Sequence, residues 1–199
     1  KNKNLLEAKK NSPHKAHVAD HLLFRHWTRY RDGRRNHLLL YDLETAQIRD
    51  LTPGDFDSPA FSLGGADFAF SPDGGEICFA SNRERPNARA WTTNKDLFVV
   101  STQKSTPARN LTDQNNAFDG HPRYSPDGRF IAFLRQNIPG YESDRPRLAL
   151  YDRKSGVTRI LTETFDQWVL DFRWAADSQS IVFKGAQKAR FPLFRINLE

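Results

Sequence analysis

The residues of this 199-residue chain that could do chemistry are few and loosely grouped. The one histidine cluster is His14, His17, His21 and His26, with Asp20 among them. His17 and His21 would share a face if residues 17 to 30 were helical, but a zinc site needs further ligands and no third clear one follows. Packing and surface roles suit these imidazoles better, so no metal and no cofactor is expected. Asp73, Asp127 and Asp177 recur in register, and a carboxylate needed once per repeat is a turn residue rather than a calcium ligand. Asp55, Asp57 and Asp166 lack the dense oxygen spacing of a calcium loop. An exposed serine nucleophile calls for a Gly-x-Ser-x-Gly elbow, and none occurs, so no catalytic residue is expected in this chain. The single cysteine, Cys78, excludes an internal disulfide framework. Asn110-Leu111-Thr112 matches a glycosylation sequon but coincides with a repeated strand end, so the match reads as incidental.

The elements that carry these residues must form a packed core. Hydrophobic residues make up 38% of the chain, with fifteen Phe, which argues against disorder. No apolar run approaches the roughly 18 residues that a spanning helix needs. The formal charge is +6, yet residues 1 to 35 hold ten basic residues against three acidic ones, and the remainder holds twenty against twenty-one. A nucleic-acid surface would therefore have to be built from Lys9, Lys10, Lys15, Arg25, Arg29, Arg31, Arg34 and Arg35. A solvated or docked segment is the simpler reading, and neither nucleic acid nor membrane is expected as a partner. Among the tryptophans, Trp27, Trp168 and Trp174 read as packing residues and Trp91 as an exposed aromatic contact.

A repeat of about fifty residues organises the chain. Ser71-Pro72-Asp73-Gly74 recurs as Ser125-Pro126-Asp127-Gly128 and, in degenerate form, as Ala175-Ala176-Asp177-Ser178, at offsets of 54 and 50 residues. Ser accepts a hydrogen bond, Pro pre-sets φ, Asp suits the third position and Gly supplies a positive φ, so the element is a hairpin turn. Short apolar segments precede it, at Phe68-Ala69-Phe70, Pro122-Arg123-Tyr124 and Phe172-Arg173-Trp174. Buried strands follow it, at Ile77 to Ala80, Ile131 to Leu134 and Ile181 to Phe183. A further run comes next, at Leu97 to Val100, Leu148 to Tyr151 and Leu193 to Ile196, with Leu38 to Tyr41 ahead of the first unit. Leu-Thr closes three units, at residues 51–52, 111–112 and 161–162. With Pro and Gly lost, the third turn is expected to be a looser loop.

Four antiparallel strands recurring every 40 to 50 residues spell a β-propeller blade, with a solenoid as the other option. The fold class is all-β: a propeller fragment of about two complete and two partial blades. A basic segment with an insertion covers 1–37, the end of one blade 38–52, whole blades 53–112 and 113–162, and a partial blade 163–199. Open edges at both ends are expected to favour self-association.

Two stretches, Phe70-Ser-Pro-Asp-Gly-Gly-Glu-Ile-Cys-Phe-Ala-Ser-Asn-Arg83 and Tyr124-Ser-Pro-Asp-Gly-Arg-Phe-Ile-Ala-Phe-Leu-Arg135, resemble the WD40-like repeats of the TolB propeller and of the prolyl oligopeptidase (S9) family of serine peptidases. Asp20-His-Leu-Leu-Phe-Arg-His-Trp27, with Asp32-Gly33, Arg35 and His37-Leu38-Leu39, resembles a segment of the dipeptidyl peptidase V and acylaminoacyl-peptidase-like branch. The loop from Pro86 to Asn94, with Arg83, Arg85, Arg89 and Trp91, fits the long blade loops of that branch. The resemblance implies a propeller that restricts entry of short peptides to a C-terminal α/β-hydrolase domain of the same parent chain, which carries the Ser-Asp-His triad. This fragment itself would be inactive. Arg25, with Arg29 beside it, could then grip a substrate carboxylate through a guanidinium fork, and His26 and Trp91 are further substrate-contact candidates. Compartment stays open between bacterial cytoplasm and periplasm. The alternative is a TolB-like propeller acting as a protein-binding scaffold.

Overall fold

The computed structural model describes residues 2–198 apart from 15, 17, 20, 21, 27, 32, 61–66 and 86. Its hairpins are set by local turn chemistry. Gly74 N donates to Ser71 O (2.9 Å), Glu76 N donates to Ser71 Oγ (3.1 Å), and Gly75 N donates to Asp73 Oδ1 (3.0 Å), with Gly74 at φ +69°. The second turn repeats this: Gly128 N to Ser125 O (2.8 Å), Phe130 N to Ser125 Oγ (2.9 Å), Arg129 N to Asp127 Oδ1 (3.0 Å), and Gly128 at φ +71°. The third turn corrects the expectation of a looser loop. Ser178 N donates to Ala175 O (3.1 Å), Gln179 N to Asp177 Oδ1 (2.9 Å), and Ser178 sits at φ +61° in glycine's place. Its hydroxyl accepts from Asp127 N of the preceding turn (3.0 Å), so a neighbouring sheet helps to hold the unusual conformation.

The turns join short strands into antiparallel sheets. The first hairpin is β1 (Arg25–His26) and β2 (Arg29–Tyr30), followed by the pair β3 (Leu39–Tyr41) and β4 (Ile48–Asp50). Next come β5 (Phe68–Phe70), β6 (Glu76–Ser81), β7 (Asp96–Ser101) and β8 (Arg109–Asn110), hydrogen-bonded in that order. A second four-stranded sheet follows with β9 (Asp119–Tyr124), β10 (Phe130–Arg135), β11 (Arg147–Asp152) and β12 (Thr158–Ile160). The last sheet has three strands, β13 (Val169–Trp174), β14 (Ser180–Gly185) and β15 (Leu193–Asn197). Two complete and two partial blades of a propeller result. The segment read conditionally as helical, 17–30, holds the β1–β2 hairpin instead, closed by Arg31 N donating to Phe24 O (2.8 Å). A helix does form where none is expected, at α1 (Asn2–Asn11). Among the described residues no helix is long and apolar enough to cross a membrane.

Alternation along each central strand sends side chains to two different cores. From β6, Ile77 and Phe79 pack with Leu38, Phe98 and Val100, facing the β3–β4 pair. The intervening Cys78 and Ala80 pack on the other side with Tyr124, Ile131 and Phe133 of the next sheet. From β10, Ala132 and Leu134 turn the opposite way, to Val169, Phe172, Ile181 and Phe183.

Each Leu-Thr pair locks a sheet's outer strand. Thr52, Thr112 and Thr162 are buried, and their Oγ1 atoms accept from the backbone N–H of Leu38 (2.9 Å), Leu97 (3.0 Å) and Leu148 (2.8 Å). The adjoining Leu51, Leu111 and Leu161 N–H groups donate to the carbonyls of the same three residues. Asn110 of the sequon is engaged on both sides of its amide, donating to Asp96 Oδ2 (2.8 Å) and accepting from Thr112 N (3.0 Å).

A polar knot lies at the start of β9. Asp119 is fully buried and accepts from Asn115 Nδ2 (3.0 Å), while its Oδ2 has no hydrogen-bond partner. Burial raises its pKa from 3.8 to about 7, against the opposing influence of Arg135, the Asn115 hydrogen bond and the nearby Thr112 hydroxyl, with the charge of Asp96 adding to the rise. The folded state thus holds a proton that the unfolded chain releases, and stability falls as pH rises from about 4 towards 7.

Three outcomes are expected. Thr112→Val, nearly the same shape, leaves the buried Leu97 N–H without an acceptor and lowers unfolding free energy by about 1–3 kcal/mol in a denaturant melt. Gly128→Val, forcing a β-branched residue to positive φ, lowers it by about 2 kcal/mol. Asp119→Asn removes its share of the pH slope, at most about 1.4 kcal/mol per pH unit, so its advantage over the parent chain grows between pH 5 and pH 7.5.

Candidate functional site

The first strands of three successive sheets, β5, β9 and β13, stand side by side because each sheet packs face to face on the next. Together they line a recess of about 420 Å³ whose wall includes Phe68, Phe70, His121, Arg123, Arg173 and Trp174. Phe70 is 49% exposed there and Phe68 37%. Polar ties cross from sheet to sheet along this wall. His121 N donates to Asp67 Oδ1, Arg123 pairs with Asp171 (3.3 Å), and Trp174 Nε1 donates to Arg123 O (3.1 Å). Arg173 also reaches Asp171, at 2.6 Å. Burial works against the Asp171 charge, but the Phe172 N–H and the Arg173 and Arg123 guanidiniums hold its carboxyl below the usual range. Burial, with the charge of Arg173 behind it, draws the Arg123 pKa down, and the salt bridge to Asp171 opposes this. The wall therefore places guanidinium groups beside exposed rings.

The opposite end of β6 from the Ser71 to Gly74 turn carries the longest loop of that sheet. It folds around a 3-10 turn, Ala88–Ala90, that ends at Trp91, 80% exposed. Arg83 at the loop's start lies over the Phe98 ring, 4.2 Å from its centroid, and Arg89 lies 5.0 Å from that of Phe56. From the N-terminal segment Arg31 pairs with Asp57 (3.0 Å) and Arg35 with Asp55 (2.8 Å).

Of the substrate-contact candidates, Arg25 is exposed in the β1 strand with its guanidinium 5.8 Å from the Phe24 ring. His26 pairs with Arg29 in the hairpin backbone, and its side chain lies outside the described residues. Among the described residues no hydrogen bond or ion pair joins Arg25 to Trp91. Ser71, Pro72, Asp73, Gly74, Ser125, Pro126, Asp127 and Gly128 line two hairpin turns away from that loop. Asp73 and Asp127 both sit below the usual carboxylate range, first because a serine hydroxyl donates to each and then because a backbone N–H does. His17, Asp20, His21 and Trp27 of the histidine-rich stretch, and Pro86 of the loop, lie outside the described residues. Among the described residues no three His, Cys, Asp or Glu side chains gather as a metal site would require. The recess itself escaped sequence reasoning, although Asp67, His121 and Asp171 hold equivalent places three residues before Phe70, Tyr124 and Trp174 and could have marked it.

No family model matches the chain. It is similar to dipeptidyl-peptidase 5 of Porphyromonas gingivalis, 30% identical over 183 residues that cover 89% of this chain and 26% of that protein. Dipeptidyl-peptidase 5 of Schizosaccharomyces pombe is 27% identical over 191 residues, covering 91% of this chain and 27% of that protein, so relatives occur in fungi as well as bacteria. The chain thus spans about a quarter of the length of the relatives it matches. Among solved structures, a puromycin-hydrolysing peptidase of Mycobacterium tuberculosis superposes on 83% of this chain and 28% of its own with a TM-score of 0.59 at 16% identity, a likeness of fold. With blade-like sheets and peptidase relatives along nearly its whole length, the chain belongs to the β-propellers of the prolyl oligopeptidase-like (S9) peptidases.

Proposed function

We propose that this chain restricts and guides the access of short peptides to a hydrolase active site carried elsewhere in a longer polypeptide. One observation carries the reading: 89% of the chain is similar to a protein named dipeptidyl-peptidase 5, yet the chain contains no nucleophile elbow of its own. The inner wall supplies a physical basis. Sheets arranged around a passage exclude folded proteins by width alone. An extended peptide that enters must give up about 1–2 kcal/mol of backbone freedom per ordered residue. A short peptide loses little, and the donors of Arg123 and Arg173 can offset that loss, while the rings of Phe68 and Phe70 narrow the way for anything longer. A long chain loses more than a wall of this size returns.

The test uses the full polypeptide that contains this chain. Phe68→Ala with Phe70→Ala widens the wall, and kcat/KM for a ten-residue peptide is expected to rise several-fold relative to that for a chromogenic dipeptide. An unchanged ratio contradicts the filtering role. Absence of hydrolysis by the full polypeptide removes the enzyme reading and leaves a propeller that serves as a binding scaffold.

A further inference from the structure

The seam between the β3–β4 pair and the β5–β8 sheet gathers more positive charge than its own carboxylates use. Arg31 and Arg35 are committed to Asp57 and Asp55. Asp57 is engaged twice, since its Oδ1 also accepts from Asn36 N (2.9 Å). Arg83 and Arg89 have no such partner: among the described residues no carboxylate forms an ion pair with either. Both guanidiniums nonetheless lie over one ring, that of Phe56, at 5.5 and 5.0 Å from its centroid. Arg83 is fixed further by Phe98 and Phe79, and its Nε is buried with no acceptor. Arg89 is oriented by donating Nε to Glu84 O (2.7 Å). Burial pulls both arginines below their ordinary pKa, and at Arg89 the charges of Arg35 and Arg31 add to this, opposed by Asp55 and Asp57.

Two like charges over one aromatic ring, neither in ion-pair contact with a carboxylate among the described residues, describe half of a binding site. We propose that Arg83 and Arg89 bind a carboxylate of an acidic peptide at this seam, with Phe56 as the floor and the exposed Trp91 ring available to the peptide's flank. A planar carboxylate matches the guanidinium fork. A single negative charge also suits the seam better than a dianion, which would face Asp55 and Asp57. The site stands whether or not the filtering role does, because it is read on this chain alone.

Calorimetric titration at about 50 mM salt, low enough that charges within about 10 Å still interact, tests it with triglutamate and triglutamine, both N-acetylated and C-amidated, and with inorganic phosphate. Saturable binding of triglutamate is expected, with triglutamine at least about tenfold weaker, roughly 1.4 kcal/mol. Arg83→Met, which keeps apolar contact with Phe98, and Arg89→Gln, on the surface turn, should each weaken triglutamate about tenfold, and Lys104→Gln, at an exposed turn elsewhere, should not. Matching thermal melts show that each variant is folded, and Arg89→Gln decides the matter if Arg83→Met is not. The proposal is overturned if triglutamate shows no saturable binding, if triglutamine binds equally well, or if the folded variants bind as the parent does. Phosphate binding tighter than triglutamate also overturns it, in favour of a free-anion site.

Discussion

Neither face of a central sheet in this chain can be buried by that sheet itself, and this constraint shapes everything around it. Ile77 and Phe79 need the β3–β4 pair on one side, while Cys78 and Ala80, one residue out of phase, need the β9–β12 sheet on the other. The same alternation in β10 commits Ile131 and Phe133 one way and Ala132 and Leu134 the other. Apolar surface is then removed from water chiefly at the contacts between neighbouring sheets, the arrangement of a repeat structure whose units stabilise one another. Polar ties follow the same seams. Arg153 and Tyr124 both reach Glu76 across one of them, at 2.9 and 2.8 Å, and Trp174 stacks on Phe130 across the next while binding the carbonyl of Arg123.

Stacking sheets face to face also decides where function can reside. First strands come together as one wall, so Phe68, Phe70, Arg123 and Arg173, drawn from three separate repeats, line a single recess. Loops from the far ends of the second strands come together at the sheet ends, where the longest of them carries Arg83, Arg89 and Trp91. Both features are made at seams, and neither would exist in an isolated sheet. Family membership fits this division of labour, since the same blade scaffold can present different walls and loops without altering its core.

What the sequence made legible were the features with a local cause. Ser-Pro-Asp-Gly is a turn for reasons contained in four residues, and a run such as Ile131 to Leu134 reads as a strand buried on both faces because nothing polar interrupts it. The repeating Leu-Thr pair was visible as a pattern, but its role was not, because Thr112 meets the N–H of Leu97 fifteen residues upstream. The third turn misled for a similar reason. Ala175 to Ser178 lacks the proline and glycine that make such a turn easy, and the support for Ser178 comes from Asp127 in another sheet. Residues 17 to 30 offered a conditional helical spacing for two histidines, while the backbone pairs Arg25 with Tyr30 as a hairpin. At the candidate sites the missing information is longer in range still. Arg83 follows β6 closely and Phe98 lies on its neighbour β7, but Phe56 reaches both arginines from the preceding connection, and no spacing rule joins residues 56, 83 and 89.

If sheets depend on their neighbours for burial, protection from solvent must be graded along the chain. Native-state hydrogen exchange measures this directly, because amides open with free energies that reflect local burial and pairing. The slowest amides should belong to β10 and β11, covered on both faces by neighbouring sheets. Intermediate protection is expected in β6 and β7, and faster exchange in the β3–β4 pair and in β15, where Leu39 and Leu193 remain 63% and 71% exposed. Uniform protection across the four sheets, or slower exchange in β15 than in β10, would contradict the account of a structure held together at its seams.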